Sequence, residues 1–199
     1  MSAHHKIALC AVALAALNLT PACALLKKPT PLTQLQLSLP AVELNWPARL
    51  ELGSVKARGV LQSDRLIVTN GALVMQHGGL RWVAAPATQL AEQLAIARIT
   101  TSTRSIQKAA GKAVTIDVWL SDFNITVNPT GDTSVAVSAS GAIRCANAKI
   151  ASDLAPAAIV LPLNSTDPQR IAERFNAAAT QVITTLLARI PENCKAAVN

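Results

Sequence analysis

Tyrosine is absent from these 199 residues, and the aromatic side chains amount to Trp46, Trp82, Trp119, Phe123 and Phe175. A surface for single-stranded nucleic acid needs stacked aromatics beside clustered cations. Here 18 lysines and arginines face 11 acidic residues, but they are scattered and only Lys27 and Lys28 are adjacent. The net charge of +7 therefore does not mark a nucleic-acid partner. Histidine is equally scarce. His4 and His5 sit at the extreme amino terminus, and His77 stands alone. No His-rich or Cys/His metal cluster can be assembled around one imidazole, and no CxxC, HExxH, GxSxG or P-loop pattern occurs. Asp117 and Asp122 are an odd number of positions apart, which puts them on opposite faces of a regular strand unless a bulge between them alters the phase, and as an acid/base pair they are weak. These absences argue against an enzyme: no catalytic, cofactor or metal residue is assigned.

A long hydrophobic run is missing as well. Ile7 to Leu19 is the most apolar stretch, 13 residues ending near Asn18, whereas a spanning helix wants about 20. Its setting explains it. His4, His5 and Lys6 form a basic lead, and Thr20-Pro21-Ala22 places a small residue before Cys23. That is the plan of a lipoprotein export signal over residues 1–22, cleaved before Cys23, with acyl chains on the thiol and the new amino terminus. Two or three acyl chains hold a protein stably at a membrane, each buried CH₂ contributing about 0.8 kcal/mol. The alternative is an ordinary secretory signal that leaves Cys23 a plain thiol. Ala24, not Asp, follows Cys23, so the expected location is the outer membrane, facing the periplasm of a bacterial envelope. Residues 23–31 form a proline-containing tether, and Lys27 and Lys28 can lie against anionic headgroups or remain solvated.

From Leu32 the pattern becomes that of a folded domain, residues 32–199. Leu35, Leu37 and Leu39 alternate with polar residues, as in a strand with one buried face. Arg49–Arg58 reads as a second strand. Asp64–Thr69 and Ala72–Gln76 form a hairpin about Asn70-Gly71, and His77-Gly78-Gly79 reads as a further turn before Trp82. Pro86 opens a helix to about Thr103 with Leu90, Ala91, Leu94 and Ala97 along one side. Val114 to Leu120 keeps one phase and Phe123 to Val127 the other, predicting a bulge near Ser121-Asp122. Residues 128–132 form a turn, Val135 to Cys145 the returning strand, and Ala157–Leu161 a short one. Asp167-Pro168 then caps a helix whose stripe is Ile171, Phe175, Ala178, Val182, Leu186 and Ile190. Strand hairpins with two helices predict a single α+β domain, a curved antiparallel sheet with both helices on one face.

Cys10 leaves with the signal and Cys23 is acylated, so Cys145 and Cys194 remain for a disulfide in an oxidising compartment; a buried free Cys145 with an exposed Cys194 is the alternative.

Three runs carry a resemblance: Leu50-Glu51-Leu52-Gly53-Ser54-Val55, Ser63-Asp64-Arg65-Leu66-Ile67-Val68, and His77-Gly78-Gly79-Leu80-Arg81-Trp82-Val83-Ala84-Ala85-Pro86. Together they resemble the ABC-type transport auxiliary lipoprotein family, the PqiC/YmbA group, over Leu50 to about Ala95. The resemblance implies a non-enzymatic envelope lipoprotein serving a phospholipid transporter with MCE-type proteins. The implied partners are the membrane, MCE-domain and ABC proteins, and phospholipid, with a homo-oligomer left open. Arg81 and Trp82 are candidate partner contacts; alternatively Trp82 fills the junction of sheet and first helix, and Arg81 faces solvent or caps a turn. Free-standing lipid binding and a structural role in another envelope complex are the competing functions.

Overall fold

A computed structural model describes residues 31–40, 44, 46, 47, 49–102, 114–145, 151–192 and 194. The signal, Cys23 and the tether up to position 30 lie outside the described residues. Leu32–Asn199 forms one compact unit. Seven strands build a single open sheet: β1 (Thr33–Leu35), β2 (Leu50–Ala57), β3 (Arg65–Asn70), β4 (Leu73–Trp82), β5 (Val114–Val127), β6 (Thr133–Arg144) and β7 (Ser152–Pro162). Helix α1 (Pro86–Ser102) follows β4, and α2 (Pro168–Ala188) follows β7. The domain is α+β, as the pattern of elements predicts.

Strand β5 is the spine. Along one edge it pairs with β6 in antiparallel fashion; along the other, β2 and β3 lie end to end, both parallel to it. The sheet is therefore mixed rather than antiparallel. Hairpin reasoning sees only neighbours in sequence, whereas β2 and β3 return to β5 across α1 from more than forty residues away. The predicted bulge is present: the β5–β6 register shifts between Leu120 and Asp122. One extra residue keeps Val114, Ile116, Val118 and Leu120 on the same buried face as Phe123 and Ile125, because a period of two must slip once to reverse its phase.

Three local expectations need correction. The alternation of Leu35, Leu37 and Leu39 is real in burial, but the strand ends at Leu35. Beyond it the backbone is satisfied by side chains: Gln89 Oε1 accepts from Leu37 N at 2.8 Å, Asn176 Oδ1 from Ser38 N at 2.9 Å, and Gln93 Oε1 from Leu39 N at 3.1 Å. Alternating burial reports which side faces the core, not what bonds the amides. The turn at His77 is instead an enlarged bulge within β4. Arg65 pairs with Arg81 but Ile67 with Gln76, and His77 Nδ1 accepts from Gly79 N and Leu80 N at 3.2 and 3.1 Å. The hairpin loop is Gly71-Ala72, one residue later than expected; Asn70 pairs with Leu73, and Gly71 supplies the positive φ of 56°.

Both helices feed one core. Leu90, Leu94 and Ala97 of α1 are buried, as is the predicted α2 stripe from Ile171 to Ile190. Asp167 caps α2 by accepting from Gln169 N at 3.1 Å, with Pro168 at the first position. Strand β7 is longer than the predicted Ala157–Leu161. Its flanks look unlike a strand in sequence, yet Leu154 and Asp153 still find partners in Gly141 and Ala142 of β6.

Candidate functional site

Trp82 ends β4 and is wholly buried. Its ring meets Phe123 of β5 at 5.2 Å and Phe175 of α2 at 5.0 Å, both edge-on, while the two phenyl rings stack at 4.8 Å. Such pairs contribute about 0.5–1.5 kcal/mol each beyond their buried area. Three elements distant in sequence are locked by one aromatic cluster, so the packing reading of Trp82 is the one this fold realises. Its indole Nε1 has no hydrogen-bond partner among the described residues. Arg81 points the other way, as alternation along a strand requires. It is about one-third exposed and ion-pairs with Asp64 at 3.7 Å, leaving it the member of the pair that a partner can reach.

Cys145, at the end of β6, is joined to the buried Cys194 by a disulfide with a Cα–Cα distance of 5.4 Å. The bridge ties the segment after α2 back to the sheet. Cys23 lies outside the described residues.

A feature not singled out by motif lies on the face of the sheet away from the helices. β2 leaves β5 after the pair Ala57 and Leu120, and β3 joins it only at Ile67 and Asn124. At this interruption opens a cleft of about 470 Å³ lined by Lys56, Arg58, Trp119, Ser121 and Ser140, with Ala57 and Leu120 at its floor. Lys56, Trp119 and Ser140 form one cross-strand row. The sequence did hold a signal: Trp119 is an aromatic on the polar phase of β5, opposite to Val118 and Leu120. The phase slip also brings Asp117 and Asp122 to this outer face, as a bulge between them allows. Each carboxylate is engaged separately: Asp117 Oδ1 accepts from Ser54 Oγ at 2.6 Å, and Asp122 Oδ2 accepts from Ser138 Oγ. Lys56 and Arg58 line the cleft with Trp119 while Asp117 and Asp122 stand on the same outer face, so the surface is of mixed charge rather than an anion trap.

No group of three or more His, Cys, Asp or Glu side chains among the described residues could hold a metal ion. No described helix is long and apolar enough to cross a membrane. Asp132 stands in the β5–β6 turn. Hydrogen bonds from Thr130 Oγ1 at 2.6 Å and Asn128 Nδ2 at 3.3 Å hold its carboxyl below the usual aspartate value.

No family model matches the chain, and no curated protein does. Solved structures do. A DUF330-family protein of Xanthomonas campestris superposes with a TM-score of 0.56 at 17% identity, covering 79% of this chain and 91% of that one. The fold is shared. A second solved structure, of an uncharacterized protein, gives a TM-score of 0.59 at 13% identity over 82% of this chain and all of its own. At such identities the likeness concerns the fold alone, and it spans nearly the whole of both neighbours.

Proposed function

We propose that this protein is a lipid-anchored envelope component of the DUF330 type, the domain family of the PqiC/YmbA auxiliary lipoproteins, and that it serves an MCE-associated ABC system moving phospholipid. The observation that carries the proposal is the fold in common with the Xanthomonas DUF330 protein. It is supported by the export pattern ending at Cys23 and by the Arg81-Trp82 run that gave the resemblance from sequence. On this reading the chain does no chemistry. Its contribution is to hold a rigid, disulfide-closed domain beside a membrane, within reach of its partners.

Metabolic labelling with palmitate tests the anchor: the purified protein carries label, and Cys23→Ala loses both label and membrane fractionation. Crosslinking in intact envelopes tests the partner: the captured species is an MCE-domain protein. Capture of an unrelated outer-membrane assembly would replace the transport reading with the structural one.

A further inference from the structure

The β3–β4 hairpin buries Leu66, Ile67, Leu80 and Trp82 in the core but keeps the apolar side chains at its tip outside it. Leu73, Val74 and Met75 are 64%, 57% and 46% exposed, and being consecutive on a strand they project to both sides of the ribbon. A flat protein partner would cover one side. Only a medium that surrounds the tip covers both. The tip is also free of charge: no Asp, Glu, Lys or Arg occurs from Leu66 through Leu80. Its inner backbone groups are already paired, Asn70 with Leu73, Thr69 with Val74 and Val68 with Met75. Among the described residues the other edge of β4 has no strand partner before Leu80, and open edges are tolerated only where water or headgroups can reach them.

The direction of the hairpin matters as much as its chemistry. β1 runs parallel to β4 with Thr33 beside Leu80, so the chain enters the sheet from the end at which the hairpin projects. Measured along β3 from Arg65, the partner of Arg81, to Asn70, the partner of Leu73, the tip lies five residues, about 17 Å, beyond the level of β1, while β3 stays paired with β5 along the way. From Cys23 to Thr33 are ten residues, which extend at most to about 33–36 Å. A stretch of that length is long enough for the tip to meet a bilayer in which Cys23 is anchored. The β5–β6 turn lies beside the tip, since Asn70 pairs with Val127, and it adds only Asp132, an acid. Attraction to anionic lipid is not the force; apolar transfer is.

We propose that Leu73, Val74 and Met75 insert into the headgroup and upper acyl layer of the membrane that carries the Cys23 lipid, giving the domain a second contact and a set orientation. This rests on the lipid-anchored reading of Cys23.

The test uses the full mature lipoprotein, acylated on Cys23 and reconstituted in phosphatidylcholine vesicles, with an environment-sensitive fluorophore on Val74→Cys. The expected result is a blue-shifted emission, quenched by nitroxide lipids labelled near the headgroup and insensitive to added salt. The same fluorophore on Val83→Cys, exposed at the opposite end of β4, stays unquenched. A fluorophore on Ala72→Cys loses its quenching when Leu73→Asn, Val74→Ser and Met75→Gln are combined, while the melting temperature changes little because these side chains stand outside the core cluster. An acylated protein whose Val74 label remains open to aqueous iodide and blind to nitroxide lipid overturns the proposal and leaves the anchor standing. A protein without palmitate overturns the anchor itself, by a separate measurement.

Discussion

Single residues bear more of this fold than the sparse motifs indicate. Gly53 sits where the β2–β5 register shifts, and a Cβ added there would lie 2.6 Å from Asp117 Oδ1 and 2.8 Å from Thr115 Cγ2. Gly53→Ala forces apart the Ser54–Asp117 hydrogen bond. A loss of about 1–3 kcal/mol is expected, the usual cost of overpacking, read by urea denaturation. Phe175→Ala removes the ring that faces both Trp82 and Phe123 and should cost about 3–5 kcal/mol. Asp132 gives a pH-dependent case. Its carboxyl is lowered in the folded state, so its contribution is present above the unfolded pKa and disappears as pH falls through the depressed folded value. NMR titration should show the Asp132 carboxyl changing below the ordinary aspartate range together with the amide of Thr130, which bonds Asn128 in the same turn. Asp132→Asn removes that acid-side change.

At the scale of elements, the segment after β1 is held by helix side chains, and this arrangement makes its own prediction. Gln89 is buried and bonds at both ends of its amide, accepting from Leu37 N and donating Nε2 to Ala84 O at 2.8 Å. Gln89→Ala leaves a buried donor and a carbonyl without partners. The expected cost is about 1–3 kcal/mol, and hydrogen exchange at Leu37 should quicken locally. Gln93→Ala should do less, because the bond it makes to the Leu39 amide is longer and only partly buried. The two helices also differ in kind. α2 has a clear buried stripe and polar outer positions, whereas α1 mixes apolar and polar residues around its circumference, burying Gln89 and leaving Ile96 and Ile99 half or more exposed. That is why the α2 stripe reads so much more plainly from sequence than the α1 stripe does.

At the scale of the whole molecule, the Cys145–Cys194 bridge closes a loop with a sequence separation of 49, enclosing β7 and α2. The chain-entropy relation assigns such a closure about 4 kcal/mol. Cys194→Ser should lower stability by that order, and unreduced mature protein should present neither thiol to an alkylating reagent. Elements bounded by local chemistry were legible from the sequence: the Pro86 and Asp167-Pro168 helix starts, the bulge at Ser121-Asp122 and the α2 stripe. The strand partners were not, because the parallel pairs of β2 and β3 with β5 join residues whose neighbours in sequence say nothing of each other. The cleft at Trp119 escaped for the same reason, being made by the gap between two strands rather than by any run of residues.

What the chain determined by itself follows from periods and caps, which are local: an α+β domain, its helices and its phase slip. Tertiary structure alone decided that Trp82 is core while Arg81 stays reachable, that side-chain amides of the helices complete the backbone of residues 37–39, and that Leu73, Val74 and Met75 stand free on both sides of a ribbon. Burial and hydrogen-bond partnership are properties of what comes to lie alongside, and a sequence read one window at a time contains only half of each pair.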